Sequence, residues 1–265
     1  MHSPLLAALL ANLAAGVSGA PGWVRHVPLS TGAVCMDGSP AAYVHVPGTG
    51  SGTNKWVWYF MGGGWCYDAA TCAERAATDL GTSTHEGAEG EEVDVWRYGL
   101  LSDTMEGNPD MHNWNVLRIT YCDGGSHASD AEVEYDGQLL QFRGKNNRDA
   151  ILAAVLDEFG AEMEEMVVAG CSAGGLAVWL GLDAMADQIH QANPDVLVTG
   201  LPDSGWFPDV QGPTYFGWRM RESWDLFGME GGTDADCVGA REAGECFFAE
   251  YVHCCRCCYC CCGRC

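Results

Sequence analysis

Between Val167 and Ala177 the chain reads VVAGCSAGGLA, and few local patterns restrict a fold as tightly. The apolar run before it predicts a short buried strand, and residues 174–191, GGLAVWLGLDAMADQIHQ, predict a long helix. Only a very tight turn joins two such elements, and Gly170, Ala173, Gly174 and Gly175 supply small residues around Ser172. Gly170-Cys171-Ser172-Ala173-Gly174 fits the G-x-S-x-G nucleophile elbow, which lifts a serine hydroxyl at the C-terminal end of a strand. There the Ala173 N–H, at a helix N-terminus, can stabilise an oxygen that gains negative charge. The alternative is a helix start with a serine cap and close glycine packing.

The remainder alternates in the same way. Two strand-like runs flank a Gly/Ser/Thr loop at 47–53, and the second, Trp56–Phe60, is apolar on both faces like a buried parallel strand. Residues 115–122, 165–170 and 195–201 predict further strands. Leu139, Leu140, Phe142, Ile151, Leu152, Val155, Leu156 and Phe159 carry helical spacing from about residue 135, with Gly160 as the C-cap. A loop-rich stretch reaches to about residue 113, and its acidic centre HEGAEGEEVD predicts a solvated surface insertion. Strand, helix, strand, helix, strand predicts an α/β fold on a mostly parallel sheet with right-handed crossovers. No internal repeat or linker divides it.

Composition narrows the function. With 36 acidic against 13 basic side chains and a net charge of −23, the chain lacks the cationic surface that nucleic acid requires. Residues 1–20 read as a secretory signal: an apolar run from Leu5 to Val17, too short to span a bilayer, is followed by Ser18 and Ala20 in cleavage-site spacing. The expectation is therefore a secreted or cell-wall protein with no stable membrane anchor. Outside the last twelve residues seven cysteines remain: Cys35, Cys66, Cys72, Cys122, Cys171, Cys237 and Cys246. With Cys171 inside the elbow, the other six can form three disulfides in an oxidising compartment, in any of fifteen pairings. The short intervals Cys66–Cys72 and Cys237–Cys246 can each close a small surface loop.

Gly62, Gly63 and Gly64 follow the strand Trp56–Phe60, where a backbone N–H can approach an acyl oxygen without a Cβ in the way. Alone this is an ordinary tight turn; beside the elbow it completes half of a serine-esterase site. Seven segments then fall in one order: DGSPAAYV, YFMGGGWCYDAATC, NWNVLRITYCDGG, QFRG, GCSAGGLA, PDSGWFPD and CFFAEYV. Over residues 30–252 this order resembles the pectin acetylesterase/Notum family. The resemblance implies an α/β-hydrolase-like fold with helices on both faces of the sheet, incomplete at its C-terminus. It implies hydrolysis of carboxylic esters without a cofactor or metal, through an acyl-enzyme on Ser172, with Gly63, Gly64 and Ala173 as oxyanion donors. It further implies disulfides Cys35–Cys122, Cys66–Cys72 and Cys237–Cys246. The implied substrate is an acylated polysaccharide or an acylated secreted protein.

A serine nucleophile needs a histidine base and an orienting acid, which in this fold follow it in the chain. His190 stands near the far end of the predicted helix, roughly 20–25 Å from Ser172 at a rise of about 1.5 Å per residue, too far to serve as the base. His253 is a weak candidate, since CFFAEYV resembles a family segment upstream of both partners. Asp203 resembles a loop-stabilising aspartate rather than the triad acid. Eight of the fifteen cysteines crowd residues 254–265, where the missing partners are expected. Metal binding by a thiolate cluster is one reading of that tail, and a strained disulfide clasp another. The reading adopted is a frameshift, a retained intron or a mis-joined gene end. Residues 1–20 are thus expected to be a signal, 21–252 an esterase domain and 253–265 a tail outside the fold. Two other classes stay open: a non-catalytic glycan- or acyl-binding protein, and a Cys-rich metal-binding secreted protein.

Overall fold

The computed structural model describes residues 21–95, 98–209, 215–242, 244–248 and 251–252. The expected signal at 1–20, the tail at 253–265 and His253 lie outside the described residues. A seven-stranded sheet organises the chain, with strands β1 (Gly22–His26), β2 (Ala42–Val46), β3 (Lys55–Phe60), β4 (Glu92–Val93), β5 (Asn115–Ile119), β8 (Glu165–Cys171) and β9 (Leu197–Asp203) in the order β4-β1-β2-β5-β3-β8-β9. β5, β3, β8 and β9 run parallel, while β4, β1 and β2 join antiparallel.

Period-2 alternation sorts the sheet into two faces. Trp56, Trp58, Phe60, Met166 and Val168 point to one face and pack against helices α2 (Gly144–Phe159) and α3 (Ala173–Ala192). Val57, Val116, Val167 and Ala169 point to the other, where Trp114, Leu100, Leu101 and Met111 cover them. Each large side chain removed from water in these layers contributes about 1.5–3 kcal/mol. A third cluster, including Phe142, Phe227, Phe247 and Phe248, gathers helix α1 (Ala69–Ala76), the hairpin β6–β7 (Ala131–Tyr135, Gln138–Phe142), helix α4 (Tyr215–Phe227) and helix α5 (Ala235–Ala240). Beyond β9 no strand pairs among the described residues, and Leu201 on that edge strand is 40% exposed.

Two expectations are corrected. The helix expected from about residue 135 begins only at Gly144, because Leu139, Leu140 and Phe142 belong to β7. Tyr135 pairs with Gln138 across Asp136 (φ 49°) and Gly137 (φ 75°), a two-residue turn with both φ positive. Leu140 and Phe142 are buried while Leu139 is exposed, which is strand alternation rather than helical spacing. The acidic insertion is also not wholly solvated. Glu86 is buried, pairs with Arg118 and accepts from Thr120 Oγ1 at 2.8 Å. Its carboxylate ties the insertion to β5.

Candidate active site

The turn between β8 and α3 is closed by backbone contact. A Cβ on Gly170 would come within 2.3 Å of the Gly174 carbonyl oxygen, and one on Gly174 within 2.2 Å of the Phe60 carbonyl oxygen. A Cβ on Gly175 would meet the Asp203 carbonyl oxygen at 2.3 Å. Only glycine lets β3, β8, α3 and β9 converge here. Ser172 takes φ 59° and ψ −120°, a left-handed strained conformation that costs on the order of 1–3 kcal/mol for a non-glycine residue. Its N–H donates to the Asp203 carbonyl at 3.1 Å, and its carbonyl accepts from Leu176 N–H at 2.9 Å. Its hydroxyl makes no cap bond, which removes the serine-cap alternative. The side chain is half-buried at the C-terminal ends of β3, β8 and β9.

The glycine loop lies against this turn. A Cβ on Gly62 would fall 2.2 Å from the Cys171 carbonyl oxygen, 3.3 Å from Ser172 Cβ and 3.4 Å from the Ala173 nitrogen. Gly63 and Gly64 follow with φ 148° and 66°, both in the positive range glycine favours. Arg75 Nη1 donates to the Gly63 carbonyl at 3.1 Å, and Tyr121 Oη donates to the Gly64 carbonyl at 2.7 Å. Tyr121 is 2% exposed, and burial holds its phenol well above the usual range, so it stays a neutral donor. The structure contains the disulfides Cys35–Cys122, Cys66–Cys72 and Cys237–Cys246. Cys66–Cys72 joins the glycine loop to α1.

A buried polar turn supports this region from behind. Asp123 accepts from Gly125 N–H, His127 N–H and Ser129 Oγ, the last at 2.6 Å. His127 bonds through Nε2 to the Met61 carbonyl at 2.9 Å and packs, with its ring tilted, against Phe60 and Tyr121. Desolvation holds its imidazole below the ordinary pKa, partly offset by Asp123, so it is a neutral structural donor. Sequence reasoning missed Arg75, Tyr121, Asp123 and His127. The run DGGSH after Cys122 was the available signal, because clustered turn residues foretell the positive φ of Gly124, Ser126 and His127.

Asp203 touches the turn through its backbone, while its exposed carboxylate accepts from Ser204 Oγ at 3.0 Å. Cys171 carries the free thiol of the described residues; burial first and the Asp203 carboxylate second push its pKa up. His190 bonds the Val196 carbonyl at 3.0 Å, near the C-terminus of α3. Among the described residues no histidine bonds Ser172. Among the described residues no three His, Cys, Asp or Glu side chains gather to hold a metal, and no helix of the described residues is long and apolar enough to cross a membrane. Aromatic side chains cluster next to the glycine loop, where Trp65 meets Phe207 at 5.0 Å and Phe247 at 6.0 Å. A cavity of about 340 Å³ bordered by Val46, Asp103, His112, Trp114 and Val116 lies at the opposite end of β5 and plays no part in this arrangement.

Comparison with known proteins bears on the same residues. A family model described as pectinacetylesterase matches residues 24–255. Pectin acetylesterase 5 of Arabidopsis thaliana is 35% identical over 223 residues, which cover 83% of this chain and 50% of that protein. Palmitoleoyl-protein carboxylesterase NOTUM of Mus musculus is 30% identical over 185 residues, covering 69% of this chain and 36% of its own length. The solved structure of the Wnt deacylase Notum from Drosophila superposes with a TM-score of 0.76 at 26% identity, covering 88% of this chain and 68% of that one. The chain thus spans about half the length of the curated relatives it matches.

Proposed function

The chain belongs to the pectinacetylesterase family, and on that premise we propose that it is a secreted serine esterase acting through Ser172. Relatives are named as pectin acetylesterases and as palmitoleoyl-protein carboxylesterases, so family members are carboxylic ester hydrolases. The substrate is an acetyl or fatty acyl ester on a polysaccharide or protein, and the three disulfides suit an oxidising extracellular compartment.

One observation carries the reading: Ser172 is held strained and half-buried, with a hydroxyl spared from capping, against the Gly62–Gly64 backbone. In the reaction, Ser172 Oγ attacks the ester carbonyl carbon as its proton passes to a base. The carbonyl oxygen, charged for that moment, is met by the N–H groups of Ala173 and the glycine loop. The bond to the alcohol oxygen breaks, and the alcohol leaves with a proton. Water then cleaves the acyl-serine and releases the carboxylic acid. Neither base nor orienting acid is placed by the described residues.

That gap favours a second reading, a glycan- or acyl-binding protein that does not turn over. Assaying the full chain against p-nitrophenyl acetate, p-nitrophenyl octanoate and acetylated pectin separates the two. Slow release that disappears in Ser172→Ala is the expected result. Ester or pectin binding without any Ser172-dependent release sinks the esterase reading, and the ratio of the two nitrophenyl rates reports acyl length.

A further inference from the structure

Three consecutive glycines make a poor support for a catalytic donor, because glycine gives up more backbone freedom on ordering than any other residue. Among the described residues, Gly62, Gly63 and Gly64 make no backbone–backbone hydrogen bond. Their polar contacts come from two side chains. Arg75 reaches the Gly63 carbonyl through Nη1 at 3.1 Å and the Gly64 carbonyl through Nη2 at 3.4 Å. Tyr121 Oη adds a second, shorter bond to the Gly64 carbonyl and itself accepts from Ser126 N–H at 3.2 Å.

We infer that Arg75 is the positioning residue of the acyl-oxygen-binding loop, an inference that rests on the esterase reading above. In a planar trans peptide the carbonyl and the following N–H point in opposite directions. A guanidinium that grips the Gly63 carbonyl therefore turns the Gly64 N–H away from itself, and a grip on the Gly64 carbonyl does the same for Trp65 N–H. The planar fork matches two successive carbonyls, as a lysine ammonium cannot. Arg75 forms no ion pair with a carboxylate among the described residues, although acidic side chains outnumber basic ones 36 to 13. Its guanidinium instead lies over the Tyr121 ring at 5.1 Å. The helix that carries it is fixed to the loop by Cys66–Cys72, and its start by the reciprocal Asp68–Thr71 capping box. Disulfide, helix and guanidinium thus form one brace behind the donors.

The test compares wild type, Arg75→Lys, Arg75→Gln and Tyr121→Phe as full chains. Ester turnover is read as kcat and KM on p-nitrophenyl acetate, alongside hydrogen–deuterium exchange of the peptide covering residues 62–66. Loss of one oxyanion donor costs about 100- to 1000-fold in kcat, and a donor that is loosened rather than removed should cost about tenfold to a hundredfold. The expected result is a kcat loss of that size with KM within about twofold, smaller for Arg75→Lys than for Arg75→Gln, and faster exchange confined to 62–66. A purely structural role would instead speed exchange in β3 and β8 as well; that outcome, or unchanged kcat with unchanged exchange, overturns the inference. If wild type shows no Ser172-dependent turnover, the esterase reading fails. Exchange then decides by itself whether Arg75 holds the loop.

Discussion

Ser172 holds its conformation against its own preference, since φ 59° suits glycine and not a residue with a Cβ. Ser172→Gly should accordingly raise unfolding stability, by about 1 kcal/mol, while removing all ester turnover. Denaturant melts beside the nitrophenyl ester assay check both halves. Gly174 poses the opposite problem, because a Cβ there meets the Phe60 carbonyl oxygen at 2.2 Å. Gly174→Ala should cost about 1–3 kcal/mol through the backbone shift it forces. Cys171 offers a titration. Its raised pKa leaves less thiolate at neutral pH than an ordinary cysteine has, so iodoacetamide should label it slowly. Asp203→Asn removes one of the causes and should speed labelling, read by mass spectrometry. At this scale the serine was legible because the turn demands small neighbours. Arg75 and Tyr121 were not, since each acts across more than ten residues on a carbonyl that sequence does not display.

Among the elements, those with both faces buried were the easiest to read. β3 and β8 announced themselves as continuous apolar runs, and α3 by its length. The β6–β7 hairpin was hidden because Leu139, Leu140 and Phe142 fit helical spacing as well as alternation over so few residues. Asp136-Gly137 between them was the deciding signal. Helix α1 was hidden by its eight residues, and it depends on its cap and its disulfide. Its coupling to the glycine loop leads to a prediction: Cys66→Ser with Cys72→Ser should lower stability by about 2 kcal/mol, the entropy of so short a ring. Turnover should fall further than that loss explains at temperatures where the protein stays folded. Equal melts with unchanged kcat would contradict the coupling.

Over the whole molecule, acid should loosen the fold before carboxylates protonate. His45 and His127 are both buried with pKa values held below the ordinary histidine value, chiefly by desolvation. The unfolded chain then binds protons that the folded one refuses, so stability is full above about pH 6.5 and falls as pH drops below it. Melting temperatures from pH 8 to pH 5 should decline in that window, and less steeply in His127→Gln if that variant folds. The mostly parallel sheet was legible from strand and helix alternation, and β2 as a strand-like run, whereas its antiparallel edge was not, because the two-residue β4 pairs with β1 from about 70 residues away. Cys35–Cys122 spans 87 residues and fastens the segment after β1 to the end of β5. Opening it with serines should cost about 4–5 kcal/mol, roughly twice the small ring. The three bridges also compose a wiring diagram. Cys66–Cys72 lies within the span of Cys35–Cys122, and Cys237–Cys246 lies outside both. Among the described residues no bridge straddles another, so closing one of these three does not strand the chain on the wrong side of the next.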